Sequence, residues 1–318
     1  MRAFAVDSFG ETGSIHELPT PEPGPGEACL RIAAAGVNPV DWKILKGYLK
    51  DFVEHRFPLI PGQEGSGVVD ALGPGVEDLA VGDEVYGSPG LPFFGGGTFA
   101  EFAIVSPATM GPKPAGLNHA QAAALPVCTG TAIVAVETAD LKEGDVVLVV
   151  GAAGGVGGFA VQLAAIRGAK VIAVTRGQNA DYVRGLGATE TIDYTSADVA
   201  SAVRSAHPDG VDAIIDTVSD AGRLAALTTL LRPGGRVVSV VGAAPAEVAP
   251  GSGIKAVNIV GGATRERLSE VNRLLASGTL RLPEIRTLPL EEATTALAES
   301  EAGHVRGKLV LTVSPELT

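Results

Sequence analysis

Five glycines occur within residues 151–158 of the segment DVVLVVGAAGGVGGFAVQLAAIR (145–167), which carries no charge between its first and last residues. Glycine lets a backbone approach a ligand closely, and the first turn of a following helix offers free N–H groups that bind phosphate. The dinucleotide fingerprint is G-x-G-x-x-G, and this chain departs from it at the first glycine. The matching run is Ala152-Ala153-Gly154-Gly155-Val156-Gly157. We predict that its backbone from Ala153 onward binds the pyrophosphate of a dinucleotide.

The residues after the next strand indicate which dinucleotide binds. Enzymes that use NAD place Asp or Glu about 20 residues after the glycines, where it bonds the ribose 2′-hydroxyl. Here the strand AKVIAV is followed by Thr175, Arg176 and Asn179, and the first acidic residue is Asp181. Arg176 can pair with a 2′-phosphate, with Thr175 and Asn179 as additional donors. The pattern favours NADPH, although Arg176 could instead be a solvated loop residue.

The elements around these residues can be predicted from residue type. The uncharged segment is long enough to cross a membrane, but a lipid-facing backbone would not accommodate its glycine loop. Its first part, VVLVV, is a β-branched run of strand length, and Phe159, Leu163 and Ile166 follow the glycines at helical spacing. We therefore predict a strand, a glycine turn and a helix, which the strand 169–174 completes as a βαβ unit.

Strands and helices alternate beyond this unit, which predicts an α/β fold with a doubly wound parallel sheet. The candidate strands are 171–175, 191–194, 211–218 and 235–242. Ligands bind at the carboxyl ends of such strands. The candidates to line a cofactor groove are therefore Tyr194, Asp216, Thr217, Val218, Gly242 and Ala243. Asp216 could equally be a cap or turn residue.

The two ends of the chain have a different pattern. Residues 1–118 contain short β-like segments separated by Pro and Gly turns, which predicts a β-rich, barrel-like domain. Residues 258–318 contain helical stretches and a last strand, KLVLTV, which needs a partner sheet and is expected to rejoin the first domain. The predicted domains are therefore 1–118, 119–257 and 258–318.

The amino-acid composition of the chain argues against some classes of binding partner. The 318 residues are 46% apolar and 19% charged, as in a globular protein, and the net charge of −12 argues against binding to nucleic acid or a membrane. Two cysteines and an N-terminus without a signal-peptide core indicate a reducing, cytoplasmic location.

Eight segments, in order along the chain, resemble the medium-chain dehydrogenase/reductase family in its zinc-independent quinone oxidoreductase branch. They are AAGVNPVDWKILKG (34–47), PGQEGSGVV (61–69), VGDEVYG (81–87), GGGTFAEF (95–102), AAALPVCTGTA (122–132), GAAGGVG (151–157), RPGGRVVSVVG (232–242) and AGHVRGKLVL (302–311). The resemblance implies a GroES-like catalytic domain, a Rossmann domain that binds NADPH, a C-terminal return to the catalytic domain, and a homodimer.

The positions of zinc ligands in related enzymes carry other residues in this chain. By resemblance, Asn38 stands in place of Cys, Gln63 in place of His, and the third ligand falls near Leu125. The chain also lacks the C-x-x-C and H-E-x-x-H spacings. We therefore predict that no metal is bound.

The resemblance places the segment 38–43 near the nicotinamide, where Asn38 would bond the cofactor ribose or a substrate oxygen. Lys43 could donate a proton, oriented by Asp41, and Tyr48 is a second possible donor. The alternative is that Lys43 lies on the solvent face of a short helix, because Trp42, Leu45 and Leu49 have helical spacing.

Three further positions follow from the resemblance. Thr129 would lie in the helix beside the nicotinamide. Lys308 would lie close to the cofactor, unless it is merely a lysine of a strand edge. The loop 87–99 carries Phe93 and Phe94, which could pack on an apolar substrate or on the barrel itself.

A metal-free site restricts the reaction. Without a metal, nothing obvious polarises a simple ketone or acidifies an alcohol. A quinone or an α,β-unsaturated ketone accepts hydride more easily because conjugation carries the charge to an oxygen that hydrogen bonds can stabilise. We expect NADPH-dependent 1,4-reduction of such an acceptor. The alternatives are an enoyl-thioester reductase and an NADPH-binding structural or sensor protein without turnover.

Overall fold

A computed structural model describes residues 1–246, 248 and 251–317. The chain divides into two compact units. The first comprises Met1–Val127, Gly262–Gly278 and Leu282–Thr318, and the second comprises Cys128–Gly261 and Thr279–Arg281.

The first unit extends to Val127, beyond the boundary at residue 118 expected from the sequence. The reason is that the helix starting at His119 packs on the first unit, where His119 Nδ1 lies 2.8 Å from the hydroxyl of Ser66.

The strands of the described residues are β1 (Arg2–Ala5), β2 (Ser14–Glu17), β3 (Ala28–Val37), β4 (Glu54–Ile60), β5 (Gly65–Leu72), β6 (Glu84–Gly87), β7 (Phe93–Gly96), β8 (Phe102–Val105), β9 (Met110–Pro112), β10 (Val146–Val150), β11 (Lys170–Thr175), β12 (Glu190–Asp193), β13 (Val211–Asp216), β14 (Leu231–Ser239), β15 (Lys255–Asn258), β16 (Ile285–Pro289) and β17 (Lys308–Thr312). The α-helices are α1 (Pro39–Leu45), α2 (His119–Ala123), α3 (Pro126–Thr138), α4 (Gly155–Ile166), α5 (Ala180–Gly185), α6 (Val199–Ala206), α7 (Ala221–Thr228), α8 (Arg265–Ala276) and α9 (Ala293–Ala302).

The first unit is built on a sheet in the order β16-β17-β3-β5-β6-β9, to which β8 adds by pairing with β3. Strand β3 pairs with β17, β5 and β8, and nearly all of its residues are buried. The last strand, β17, pairs with β3 antiparallel and with β16 in parallel. The C-terminal strand thus lies inside the sheet, and the start of β17 is beside the end of β3.

The second unit contains a six-stranded sheet in the order β12-β11-β10-β13-β14-β15, and every neighbouring pair is parallel. This confirms the predicted doubly wound α/β fold. In the pairing register Val150 is opposite both Val174 and Asp216, so three strands end at one edge of the sheet. That edge is where a parallel sheet of this kind binds ligands.

The uncharged segment is the unit β10, glycine turn and α4, as predicted, and its strand and helix are mostly buried. By length and composition a different stretch, His119–Thr138, could cross a membrane, but 78% of its most apolar window is buried inside the protein. Such burial is what a core helix shows. The strand predicted at 211–218 ends at Asp216, because its carboxylate accepts the N–H of Ser219 and turns the chain.

Candidate cofactor and active site

Two glycines are required by the close packing of β10 and α4. Gly151 has a φ of 82°, and a Cβ there would lie 2.4 Å from the hydroxyl oxygen of Thr217. A Cβ on Gly157 would lie 2.2 Å from the carbonyl oxygen of Gly151. Gly151 therefore makes the tight turn, one position before the first glycine of the fingerprint, which explains how Ala152 can stand there.

The turn between these glycines is open to a ligand. A Cβ on Gly154 would meet only the carbonyl oxygen of Gly151, at 3.5 Å. Gly154 is the N-cap of α4, and no hydrogen bond among the described residues uses the N–H groups of Gly155, Val156 or Gly157. Unused donors at the start of a twelve-residue helix, beside an open backbone, fit the pyrophosphate of a dinucleotide.

Arg176 follows β11 and contacts the residue that follows the neighbouring strand β12. Its Nε donates a hydrogen bond of 3.1 Å to the hydroxyl of Tyr194, and none of the described residues bonds the two terminal nitrogens of the guanidinium. Thr175 and Asn179 are both buried, and Asn179 Nδ2 lies 3.5 Å from the hydroxyl oxygen of Thr175. The structure thus places Thr175 and Asn179 as supports of this turn rather than as exposed donors.

Asp216 organises the carboxyl ends of β13 and β14. It is fully buried, and its two oxygens accept from the Ser219 N–H and the Ser239 hydroxyl, each at 3.0 Å. The Ser239 oxygen in turn accepts the N–H of Ala243 at 3.2 Å. Asp216 therefore forms a turn, its contact with a cofactor stays a prediction, and Val218 and Gly242 are exposed at this edge.

The first unit holds a separate buried polar cluster at the end of β3. Asn38 joins β3 to α1, and the carboxylate of Asp41, on the first turn of α1, accepts the N–H of Asn38 at 2.7 Å and that of Gly62 at 3.2 Å. Burial raises the pKa of Asp41 to about 7, against the lowering effect of those N–H groups and of Lys308. The nearby Glu64 carboxylate contributes to this raised pKa.

Glu64 is a member of this cluster that our sequence analysis missed. Its Oε1 accepts from Lys308 Nζ at 2.6 Å and from Asn38 Nδ2 at 2.8 Å, and its Oε2 accepts the N–H of Val127 at 2.7 Å. Lys308 Nζ also donates to Asn38 Oδ1 at 2.7 Å and to the carbonyl of Val37 at 2.9 Å. A signal was present, because an acidic residue within the apolar segment PGQEGSGVV needs a buried partner.

The structure brings together only some of the predicted catalytic residues. Lys308 lies on β17 between two strands, which excludes the strand-edge alternative, and it joins Asn38 near Asp41. Among the described residues no hydrogen bond links Asp41 to Lys43, so the proposed orienting contact is absent. The Lys43 nitrogen lies 5.5 Å from the centre of the Trp42 ring, and Tyr48, which is 61% exposed, packs edge-on against the same ring.

The remaining residues predicted to lie at the site are buried or pack against neighbouring side chains. Thr129 is buried within α3, and Ala153, in the turn between β10 and α4, is also buried. Phe94 packs against the ring of His55, and the Arg56 guanidinium lies 3.6 Å from the Phe93 ring centre. These phenylalanines therefore pack on β4 within the first unit. The chemical roles proposed for all of these residues stay predictions.

Comparisons with known proteins agree with this architecture. The family model described as "Alcohol dehydrogenase GroES-like domain" matches residues 24–115, and the one described as "Zinc-binding dehydrogenase" matches residues 186–311. A chloroplast envelope quinone oxidoreductase homolog from Arabidopsis thaliana is 32% identical over 98% of both chains. The chain belongs to the medium-chain dehydrogenase/reductase family. It is therefore an oxidoreductase that uses a nicotinamide cofactor.

Other members of the medium-chain dehydrogenase/reductase family differ in the cofactor that their names state. An NADPH-dependent alkenal/one oxidoreductase from Arabidopsis thaliana is 30% identical over 98% of this chain and 79% of its own length. A solved structure of an NAD-dependent alcohol dehydrogenase is 32% identical, with a TM-score of 0.86 over 99% of this chain and 100% of its own. Within the described part of this chain, no group of three or more His, Cys, Asp or Glu residues could hold a metal ion.

Proposed function

We propose that this protein reduces a quinone or an α,β-unsaturated ketone with NADPH, without a metal. One observation supports the proposal that the reaction needs no metal. The amide oxygen of Asn38 and a carboxylate oxygen of Glu64 both bond the ammonium of Lys308, at 2.7 and 2.6 Å. A cation supplied by the chain itself thus neutralises the buried carboxylate beside the position where zinc-dependent relatives carry Cys.

The bound nicotinamide supplies the hydride, and the chain supplies position and hydrogen bonds. The open backbone from Gly154 to Gly157 would hold the pyrophosphate through its unused N–H groups. In a conjugated acceptor the developing negative charge is carried by the oxygen rather than by the carbon that receives hydride. A neutral amide in the first unit, such as that of Asn38, can stabilise this oxygen.

The preference for NADPH over NADH rests on Arg176. The end of β11 carries no acidic residue to bond a ribose 2′-hydroxyl, and Arg176 is held by Tyr194 with its terminal nitrogens available. Asp193, at the end of β12, accepts the N–H and the hydroxyl of Thr195 on its Oδ1, and that hydroxyl is the main cause of the lowered pKa of Asp193. Within the part of the chain that the structure describes, Arg176 forms no ion pair, and a guanidinium without such a partner favours a phosphorylated ribose.

The decisive experiment follows NADPH absorbance with 1,4-benzoquinone, 9,10-phenanthrenequinone, an alkyl vinyl ketone and crotonyl-coenzyme A. Consumption with the first three supports the proposal, and consumption with the thioester alone would favour an enoyl-thioester reductase. Tight NADPH binding without consumption would favour a structural or sensor role. Elemental analysis of the purified protein tests the metal-free site, which stoichiometric zinc would contradict.

We further propose a cytoplasmic homodimer that binds neither nucleic acid nor membranes. Among the described residues β15 is the last strand of its sheet; Val257 on this strand is 37% exposed and Val260, just after it, is 96% exposed. An open edge with apolar neighbours suits pairing with a second copy. Light scattering should report twice the chain mass, and Val260→Lys should lower it. Cys29 and Cys128 are buried thiols, as a reducing compartment allows.

A further inference from the structure

The side chain of Asn38 has only one orientation that its neighbours allow. Its Oδ1 accepts from the ammonium of Lys308, and its Nδ2 donates to the carboxylate of Glu64. Rotating the amide by half a turn would place NH₂ against an ammonium and a carbonyl oxygen against a carboxylate. Both contacts would be repulsive, so the charged neighbours determine which amide atom is where.

Glu64 itself has no room to move. Its carboxylate is fully buried and is held on one side by Lys308 and Asn38 and on the other by the N–H of Val127. The neighbouring Gly36 is packed so closely that a Cβ there would lie 2.3 Å from Glu64 Oε1. The orientation imposed on Asn38 is therefore anchored by packing as well as by charge.

The backbone of Asn38 is held independently. Its N–H donates to Asp41 at 2.7 Å, and its position between β3 and α1 ties it to two elements. Since both the main chain and the amide are held, Asn38 meets a ligand as a preorganised group.

The oxygen and the nitrogen of the Asn38 amide differ in the hydrogen bonds that they make. Oδ1 bonds an ammonium, whereas Nδ2 carries a second hydrogen for which the described residues provide no acceptor. A cation on the amide oxygen withdraws electron density from the nitrogen and strengthens the remaining N–H as a donor. Asn38 is 5% exposed, so a bond from that N–H would form in a largely water-free setting.

We propose that Glu64 and Lys308 are positioning residues that restrict Asn38 to one role, donation of a hydrogen bond to the substrate oxygen that becomes negatively charged. This inference rests on the proposed function and deepens it. The β-carbon of the acceptor gains hydride and a new C–H bond, its π electrons move to the oxygen, and a proton from water completes the product while NADPH becomes NADP⁺. The Asn38 N–H stabilises the oxyanion and keeps its own proton.

A double-mutant cycle tests whether Glu64 acts through Asn38. Removing one oxyanion donor typically lowers kcat about 100- to 1,000-fold, and we expect Asn38→Ala to fall in this range with NADPH affinity unchanged. Glu64→Gln should lower kcat about tenfold or more in the wild type but less than about twofold in the Asn38→Ala background. The control, Glu84→Gln, changes an exposed glutamate of the same unit and should leave kcat unchanged. An equal loss from Glu64→Gln in both backgrounds would overturn the proposal.

A binding measurement tests the role of Asn38 without requiring that the protein turn over a substrate. A phenol whose visible absorbance changes on ionisation is titrated into the NADP⁺ complex, where its phenolate stands in for the oxyanion. We expect the bound phenol to ionise at a pH about one unit or more below its value in water, and this shift to disappear in Asn38→Ala. Asn38→Ala leaves the Glu64–Lys308 pair intact, so no buried charge is stranded and the variant should fold.

The outcomes of the two measurements are distinguishable. A wild-type protein that reduces no acceptor but binds the phenolate preferentially would refute the proposed function and support the role of Asn38. A phenol that fails to bind, or that ionises equally in the wild type and in Asn38→Ala, would overturn the inference even if quinones are reduced.

Discussion

The ammonium nitrogen of Lys308 lies 2.6 Å from Oε1 of Glu64, and both side chains are buried although 244 residues separate them along the chain. A buried ion pair is stable only when its other hydrogen bonds are also satisfied. Here Asn38, Val37 and Val127 provide them. The pair is therefore the link between the last strand of the chain and the candidate active site.

Breaking this pair should destabilise the protein strongly. Lys308→Met leaves the Glu64 carboxylate buried without its cation, and we expect a loss of about 3–5 kcal/mol in the free energy of unfolding in urea. Combining it with Glu64→Gln should recover part of that loss. As a control, Arg286→Met removes the exposed pair with Glu299 and should cost less than about 1 kcal/mol. Similar losses for the two methionine variants would contradict the importance assigned to burial.

Asp41 should make stability depend on pH. Its folded pKa is raised to about 7, so between its ordinary pKa and about 7 the folded state binds a proton that the unfolded state has lost. The free energy of unfolding therefore falls as pH rises through this window and changes no further above it. Asp41→Asn should remove this component in urea titrations from pH 4 to pH 8. The exposed Asp51→Asn should keep the wild-type slope, and an unchanged slope in Asp41→Asn would argue against the raised pKa.

The two kinds of glycine in the turn after β10 should respond differently to alanine. Gly157→Ala pushes a Cβ into the backbone of Gly151 and should lower the yield of folded protein. The Cβ of Gly154→Ala makes only an ordinary contact of 3.5 Å with the Gly151 carbonyl oxygen, so stability should change by less than about 1 kcal/mol while NADPH binding weakens about tenfold. Fluorescence titration measures the binding, and Gly185→Ala, on α5, is the control. Unchanged NADPH affinity in Gly154→Ala would move the pyrophosphate away from this turn.

Arg176 should determine the choice of cofactor. We expect NADPH to bind at least about tenfold more tightly than NADH, and Arg176→Ala to remove most of that difference by weakening NADPH alone. Tyr194→Phe deletes the hydroxyl that accepts from Arg176 Nε and should remove a smaller part of the preference. Both affinities come from fluorescence titration. Equal binding of the two cofactors by the wild type would refute the assignment.

The features predicted well from the sequence depend on residues close together in the chain. The β-branched run before Gly151, the glycine spacing and the apolar residues at helical intervals are read within one segment, and they define β10, the turn and α4. The absence of an acidic residue directly after β11 can likewise be seen within one short segment. The described residues show no hydrogen bond between Asp41 and Lys43, because closeness in sequence does not determine where α1 directs each side chain.

The parallel sheet and its glycine turn could be predicted from local sequence, because backbone sterics and hydrophobic periodicity act over short distances. The hydrogen-bond partners of Asn38, in contrast, come from parts of the chain that are far apart in sequence. Strand β17 had to pair with β3 before Lys308 could reach Asn38 and Glu64, and no local pattern specifies such a pairing. Burial of the assembled cluster raises the pKa of Asp41. Within the same cluster, Lys308 and Glu64 hold the Asn38 amide in one orientation.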